Sequence, residues 1–219
     1  MSEAAGREVI FCYNVFMQKG LKILIGGAPT VGKSSVAEAL ARHLGVPWIS
    51  SDQIREIMRA VASRDVHPKL FRPEHFDAKR FLTEFSAEEI VAMEMEESEE
   101  TWIGIRAFVK DSYPWDSGFV AEGMNILPRL VAKDFKDNAS VKAIFLADDN
   151  VQRMHDVIFT RGLWDDSGSY PDNLKDKEVA WATLFNSKLK QEAEEFGFPV
   201  VHVHKNDEDL REVLNALGL

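Results

Sequence analysis

Leu21-Lys22-Ile23-Leu24-Ile25-Gly26-Gly27-Ala28-Pro29-Thr30-Val31-Gly32-Lys33-Ser34-Ser35 is an aliphatic run, a glycine-bounded turn, and then a lysine followed by two serines. The β-branched and aliphatic part, residues 21–25, reads as a buried strand. From Lys33 to Leu44 a helix is expected, with Val36, Ala39, Leu40, His43 and Leu44 spaced to form one buried face. Gly45 can end it, and Pro47 enforces a break before a second short strand over residues 47–50. Strand, crossover helix and strand make a βαβ unit.

The turn inside that unit, Gly27, Ala28, Pro29, Thr30, Val31, Gly32, Lys33 and Ser34, fits the pattern G-x-x-x-x-G-K-[ST]. Its glycines let the backbone curl until successive N–H groups face a common centre, which suits phosphate oxygens. Lys33 adds a mobile positive charge for the outer phosphates. Ser34 offers a hydroxyl to Mg²⁺, and the first helical turn, Ser35 included, adds exposed N–H groups and the positive end of the helix dipole. The expected ligand is ATP or a related nucleotide with magnesium, and Lys33 is the first candidate catalytic residue.

Three more strands are expected at residues 118–121, 141–146 and 198–203, each reached through helical or mixed sequence. The fold class is therefore α/β, a three-layer P-loop NTPase fold: a five-stranded parallel sheet with helices on both faces. The stretch from about 53 to 117 is too long for a simple crossover and is expected to hold a helical insert between strands 2 and 3. Ser86 with Glu89 forms a capping box within it, followed by Val91, Met95, Trp102, Ile105 and Val109 at helical spacing. The acidic run from Glu94 to Glu100 on this helix reads as a solvated face.

With 219 residues, 45% of them hydrophobic, the chain can bury one sizeable core. One domain is expected over residues 21–219, after an N-terminal extension, 1–20, in which Met17 is an alternative expected start. The 36 acidic against 26 basic side chains give a formal charge of -10, which disfavours an extended nucleic-acid surface. Cys12 is the only cysteine, so neither an intrachain disulfide nor a cysteine zinc site can form. Residues 9–17 are too short to span a bilayer, and Glu3 and Glu8 stand where an export signal needs positive charge. The cytoplasm is the expected compartment, and neither a membrane nor a nucleic acid is an expected partner.

Ligands bind at the carboxyl edge of an open parallel sheet. Asp52 follows strand 2 there, as a general base or an acceptor-orienting group, or as a helix cap together with Ser51. Arg55 and Arg59 lie on one helix face, and their guanidinium forks suit a carboxylate or phosphate acceptor. Glu122 ends strand 3 and is expected to serve magnesium through water or to bind acceptor hydroxyls; Asn125 and Arg129 follow it, with Pro128 opening a helix. Arg153 and Arg161 flank an expected helix before the polar segment 165–173, which suggests a lid that brings arginines over the transferred phosphoryl group. His202 and His204 are expected to pack or cap, and the tryptophans to fill the core or the acceptor cavity.

In Ile25-Gly26-Gly27, Gly32-Lys33-Ser34-Ser35, Ser51-Asp52-Gln53-Ile54-Arg55-Glu56-Ile57-Met58-Arg59 and Ala121-Glu122-Gly123-Met124-Asn125-Ile126-Leu127-Pro128, the chain resembles the P-loop small-molecule kinases, and within them the 2-phosphoglycerate kinase group. The resemblance runs in order through most of residues 21–205. It implies that Lys33 and Ser34 take the nucleotide and magnesium, that Asp52 and Arg55 face the acceptor, that Glu122 lines the site and that Arg153 and Arg161 belong to the lid. It also implies the sheet order of nucleoside monophosphate kinases. Residues 66–80, the acidic helix and the histidine-bearing last strand depart from the group's pattern. The expected activity is phosphoryl transfer from Mg·ATP to a small, anionic acceptor. The residues leave open a nucleotide, sugar, antibiotic or cell-wall-precursor kinase, and also a nucleotide-dependent switch or assembly ATPase with no acceptor.

Overall fold

The computed structural model describes residues 20–71, 77–111, 117–163, 167–204 and 208–219. The N-terminal extension apart from Gly20, and with it Cys12 and Met17, lies outside the described residues, as do Trp115, Trp164 and part of the expected lid. No helix among the described residues is long and apolar enough to cross a membrane.

Strand β1 (Lys22–Gly27) is buried along its whole length. A continuous apolar run of this kind suits a central parallel strand covered on both faces. It pairs in parallel with β3 (Phe119–Glu122) on one side and β4 (Val141–Ala147) on the other. β2 (Trp48–Ser50) and β5 (Val200–His202) complete the sheet in the order β2-β3-β1-β4-β5, the order expected from the resemblance. The register sets Ile25 and Ser50 on either side of Glu122, so the carboxyl ends of three strands meet beside the glycine turn.

One face carries α1 (Lys33–Leu44) and α8 (Asp209–Leu217), which pack on each other and on the strands. The other carries α4 (Ala87–Lys110), α5 (Pro128–Phe135) and α7 (Asp172–Phe196). In α1 the buried residues are Val36, Ala37, Leu40 and Ala41, while His43 is exposed. The apolar face is thus turned toward the two small alanines, which let the helix lie close to the sheet, and Ala39 is left to line the cavity described below.

The insert holds α2 (Ser51–Val61), a short 3-10 turn at Pro68–Leu70, α3 (Ala78–Glu84) and α4, whose capping box at Ser86 and Glu89 is present as expected. α2 starts before the expected Gln53, because Ser50, and neither Ser51 nor Asp52, caps it by accepting from Asp52 N at 3.2 Å. The acidic run also differs from its expectation: Glu94 and Glu97 are buried, at 6% and 0% exposure, within the stripe that holds Val91, Ser98, Thr101 and Trp102. Two arginines of α2 account for Glu97, as the site geometry makes clear.

Candidate active site

A cavity of about 870 Å³ opens at the carboxyl edge of the sheet and runs from the glycine turn to α2. On its floor the turn leads into α1 through Gly32, whose φ of 95° belongs to the left-handed region that glycine tolerates. Thr30, with φ 68°, is the one non-glycine with positive φ among the described residues, and its Oγ1 is buried with no hydrogen-bond partner. Pro29, Thr30, Gly32, Lys33, Ser34 and Ser35 all line the cavity. Gly27 ends β1, and Ala28 and Val31 are fully buried beneath the turn.

Lys33 Nζ donates to the Ala28 carbonyl at 2.7 Å, within the turn itself. Burial pushes its ammonium below the ordinary lysine value; Glu122 and Asp52 oppose the shift, and the charge of Arg161 adds to it. Ser34 Oγ donates to Glu122 Oε1 at 3.2 Å. Glu122 is 3% exposed, and burial raises its carboxyl above the ordinary value; Lys33 counters this and Asp52 reinforces it. These groups suit a nucleotide polyphosphate with magnesium. The turn is a cradle with an orphaned buried hydroxyl, and a serine oxygen lies beside a carboxylate that can hold the metal's water. Ser34 is a residue that could touch such a metal, and among the described residues no cluster of three or more histidines, cysteines or carboxylates offers a protein-only cage.

Asp52, Arg55, Glu94, Met124 and Trp181 also line the cavity. Asp52 sits in the first turn of α2 with its side chain 57% exposed, and Arg55 Nη1 lies 3.3 Å from Asp52 Oδ1. Arg55 is held from behind by Glu97 Oε1 at 3.3 Å and from the side by Glu56 at 3.4 Å. Burial alone would depress the Arg55 guanidinium, but Asp52, Glu97, Glu94 and Glu56 outweigh it and hold it above the ordinary arginine value. Arg59 does not line the cavity; it binds the Leu70 carbonyl, Glu56 at 2.6 Å and Glu97 at 2.7 Å.

Behind this wall a hydrogen-bond chain fixes the ends of β2 and β3. Ser51 Oγ donates to Asn125 Oδ1 at 3.1 Å, Asn125 Nδ2 donates to Ser98 Oγ at 3.3 Å, and Ser98 Oγ donates to the Glu94 carbonyl at 2.8 Å. Gly123 permits the approach: a Cβ there would lie 1.7 Å from Ser51 Oγ, and its φ is 156°.

The remaining expected residues separate. Arg161 ends α6 (Val151–Arg161) and lines the cavity together with Val157 and Leu163, near enough for its charge to bear on Lys33. Arg153, on the same helix, is not among the lining residues. Its guanidinium forks onto the buried carboxylate of Asp148, with Nη2 at 2.7 Å from Oδ1 and Nε at 2.7 Å from Oδ2, and also reaches the Val203 carbonyl. Arg129 is tied to Glu192 and Glu99, away from the site. His202 pairs with Asp149, and His204 N donates to Asp209. Trp181 lines the cavity and Trp102 is in the core, whereas Trp48 is 40% exposed. Sequence reasoning missed Glu94 and Glu97, and it missed the wall of Val203, Asp209 and Leu210, which lines the same cavity as Val36 and Ala39.

No protein-family model matches the chain. In sequence it is similar to the 2-phosphoglycerate kinase of Methanopyrus kandleri, with 28% identity over 197 residues that cover 90% of this chain and 60% of that protein. It is also similar to the proteins of the same name from Methanocaldococcus jannaschii, 28% identical over 93% of this chain and 65% of that protein, and Methanothermobacter thermautotrophicus, 30% identical over 66% and 49%. The chain thus spans about half to two thirds of the length of the curated relatives it matches. Its fold is shared with a gluconokinase from Sinorhizobium meliloti 1021, with a TM-score of 0.54 at 17% identity over 92% of this chain and 94% of that one. It is shared too with a shikimate kinase from Acinetobacter baumannii solved in complex with shikimate, with a TM-score of 0.52 at 12% identity over 91% and 95%.

Proposed function

We propose that the protein is a kinase that transfers the γ-phosphoryl group of Mg·ATP to a hydroxyl of a small molecule. The observation that carries this reading is the continuity of one cavity from Lys33 and Ser34 to Asp52 and Arg55, which leaves room for a nucleotide and an acceptor end to end. The sequence similarity to 2-phosphoglycerate kinases supports the same class of reaction.

In this reading the base lies between α1 and the Val203–Asp209–Leu210 wall, and the phosphates lie in the turn. Lys33 bears on the outer phosphates and Arg161 approaches them from α6. Catalysis by such groups is positioning and neutralisation of charge on the transferred phosphoryl group. Magnesium, when bound, would neutralise phosphate charge; Ser34 would hold it, with the Glu122 carboxylate beside that hydroxyl. Asp52 orients the acceptor hydroxyl and accepts its proton. The acceptor oxygen forms a bond to the γ-phosphorus as the bond to the bridging oxygen breaks, and ADP leaves. Two fixed cations at the transferred group and one carboxylate at the attacking oxygen satisfy the needs of that step.

The test is Asp52→Ala. The Asp52 side chain pairs with Arg55 and reaches Lys33 and Glu122 only through its charge, so the variant is expected to keep most of its Mg·ATP binding and to lose transfer. Equal transfer rates in the two proteins would remove Asp52 from the mechanism. Among acceptors, 2-phosphoglycerate is the first to try, since it is the one the relatives' name specifies.

A further inference from the structure

β5 is an edge strand of three residues that pairs with β4, and its ladder closes where Val203 N donates to the Ala147 carbonyl at 3.1 Å. Past that bond, side chains take over from the sheet. Arg153 Nη2 donates to the Val203 carbonyl, and His204 N donates to Asp209 Oδ1 at 2.8 Å. Both contacts fall on the wall of Val203, Asp209 and Leu210 that lines the cavity. Arg153 is fixed in turn by its fork onto Asp148, which is 2% exposed. Asn186 of α7 sets Asp148 at the end of β4, its side-chain amide accepting from Asp148 N and donating to the Asp148 carbonyl, both at 3.1 Å. Asn150 closes the corner: its N donates to Asp148 Oδ1 at 2.8 Å, and its side chain caps α6 by accepting from Arg153 N at 2.9 Å. A planar guanidinium can hold both oxygens of a carboxylate and a carbonyl at once, a geometry an ammonium does not reproduce. The hydrogen bond to Asp148, with the charges of Asp148 and Asp209, raises the Arg153 guanidinium above its ordinary value, so the wall's own carboxylate draws it as well.

The wall adjoins the phosphate turn. A Cβ on Gly32 would lie 3.5 Å from Val203 Cγ1, and α8, which begins at Asp209, packs on α1. We infer that Arg153 is a positioning residue for the nucleoside part of the nucleotide: by tying the Val203 carbonyl to Asp148 it holds in place the wall on which base and ribose pack. The inference rests on the kinase reading for the place of the base, and it replaces the lid role that Arg153 suggests from sequence. Arg153 is not among the residues that line the cavity, so it acts through Val203. α6 has a separate anchor, because Met154 and Ile158 pack with Val179 and Ala182 of α7. Arg161, at the far end of α6, therefore keeps its place when the fork is lost. Loss of the fork weakens the hold on the nucleoside and spares the phosphates.

Wild type, Arg153→Lys and Lys33→Met are titrated by calorimetry in Mg²⁺ with two ligands: a non-hydrolysable ATP analogue, and inorganic tripolyphosphate, which has the phosphates without the nucleoside. Arg153→Lys keeps a cation beside the buried Asp148 but not the fork. Circular dichroism checks folding first, and Asp148→Asn, which spoils the same fork, provides the same test if Arg153→Lys does not fold. Arg153→Lys is expected to bind the analogue about tenfold more weakly, the loss that follows when the wall is in place in about a tenth of the molecules, and to bind tripolyphosphate within about twofold of wild type. Lys33→Met is expected to weaken both ligands, since it bears on the phosphates. Equal weakening of the two ligands by Arg153→Lys would mean a general loosening and overturns the inference; so does no weakening of either. Wild type that binds tripolyphosphate as tightly as the analogue, or not at all, overturns it too, because the nucleoside and the phosphates would then not be held separately. Wild type that binds neither ligand sinks the kinase reading itself, and the inference with it.

Discussion

Removing Glu97 tests whether the acceptor wall is held by a buried charge cluster. The side chain is fully buried, and one oxygen serves Arg59 at 2.7 Å and Arg55 at 3.3 Å; these guanidinium side chains are themselves only 10% and 15% exposed. Glu97→Ala leaves two largely buried cations with one acid fewer and opens a space the size of the lost carboxylate. Removing one partner of a buried pair costs about 3–5 kcal/mol, and the lower end applies here because Asp52 and Glu56 remain beside the two arginines. For a domain of this size about 3 kcal/mol lowers Tm by about 6–12 °C. Glu97→Gln keeps an acceptor oxygen and should lose about half as much. Thermal unfolding followed by circular dichroism at fixed pH gives the shifts. Arg59→Ala combined with Glu97→Ala should cost clearly less than the two single losses added together, because the pair is coupled. A drop of less than about 3 °C for Glu97→Ala would mean that the cluster contributes no more than a surface ion pair, and the account of a rigid acceptor wall would fail.

Lys33→Met should lower phosphoryl transfer by about 10²–10³-fold, the usual effect of deleting one preorganised group that meets developing charge, with a matching loss of analogue affinity in calorimetry. Gly26→Ala would set a Cβ 2.5 Å from the Ile126 carbonyl oxygen and from the Phe145 ring, so a loss of about 1–3 kcal/mol is expected from the shift in denaturant midpoint. The folded Glu122 carboxyl holds its proton more tightly than the ordinary 4.5, so its contribution to the stability of the unliganded protein is present below that value and lost as the pH rises through the raised one. Metal binding needs the ionised form and runs the other way. The magnesium-dependent gain in ATP affinity should therefore fall as the pH drops through the raised value, and Glu122→Gln should remove that limb of the profile while leaving the titration of the nucleotide itself.

The phosphate turn was legible because each of its positions has a local task. Gly32, Lys33 and Ser34 act through their own backbone or through a helix they begin, so a short stretch of sequence contains the whole argument. Strands β1, β3 and β4 were legible as short apolar runs, and Glu122 as an acid at a strand end before a glycine that only a close backbone approach explains. The buried acids of α4 were not, since charge composition assigns acids to solvent and their partners lie on another helix. A signal was present all the same: Glu94 and Ser98 fall on the same helical stripe as Val91 and Ile105. Arg153 was assigned to the lid from its place near the start of α6, but its direction is set by Asp148 at the end of β4, a packing decision that spacing does not record. The Val203–Asp209–Leu210 wall follows only from the return of α8 beside α1, which no motif marks.

The central claim is transfer to an acceptor rather than hydrolysis. The direct measurement gives the protein Mg²⁺ and ATP labelled at the γ-phosphorus and follows the label, with and without each of a set of small hydroxyl compounds that includes 2-phosphoglycerate. The account predicts label on one acceptor, ADP released in step with it, and neither in Lys33→Met. Label appearing only in inorganic phosphate, at a rate that no acceptor changes, would contradict it and make the protein a nucleotide hydrolase.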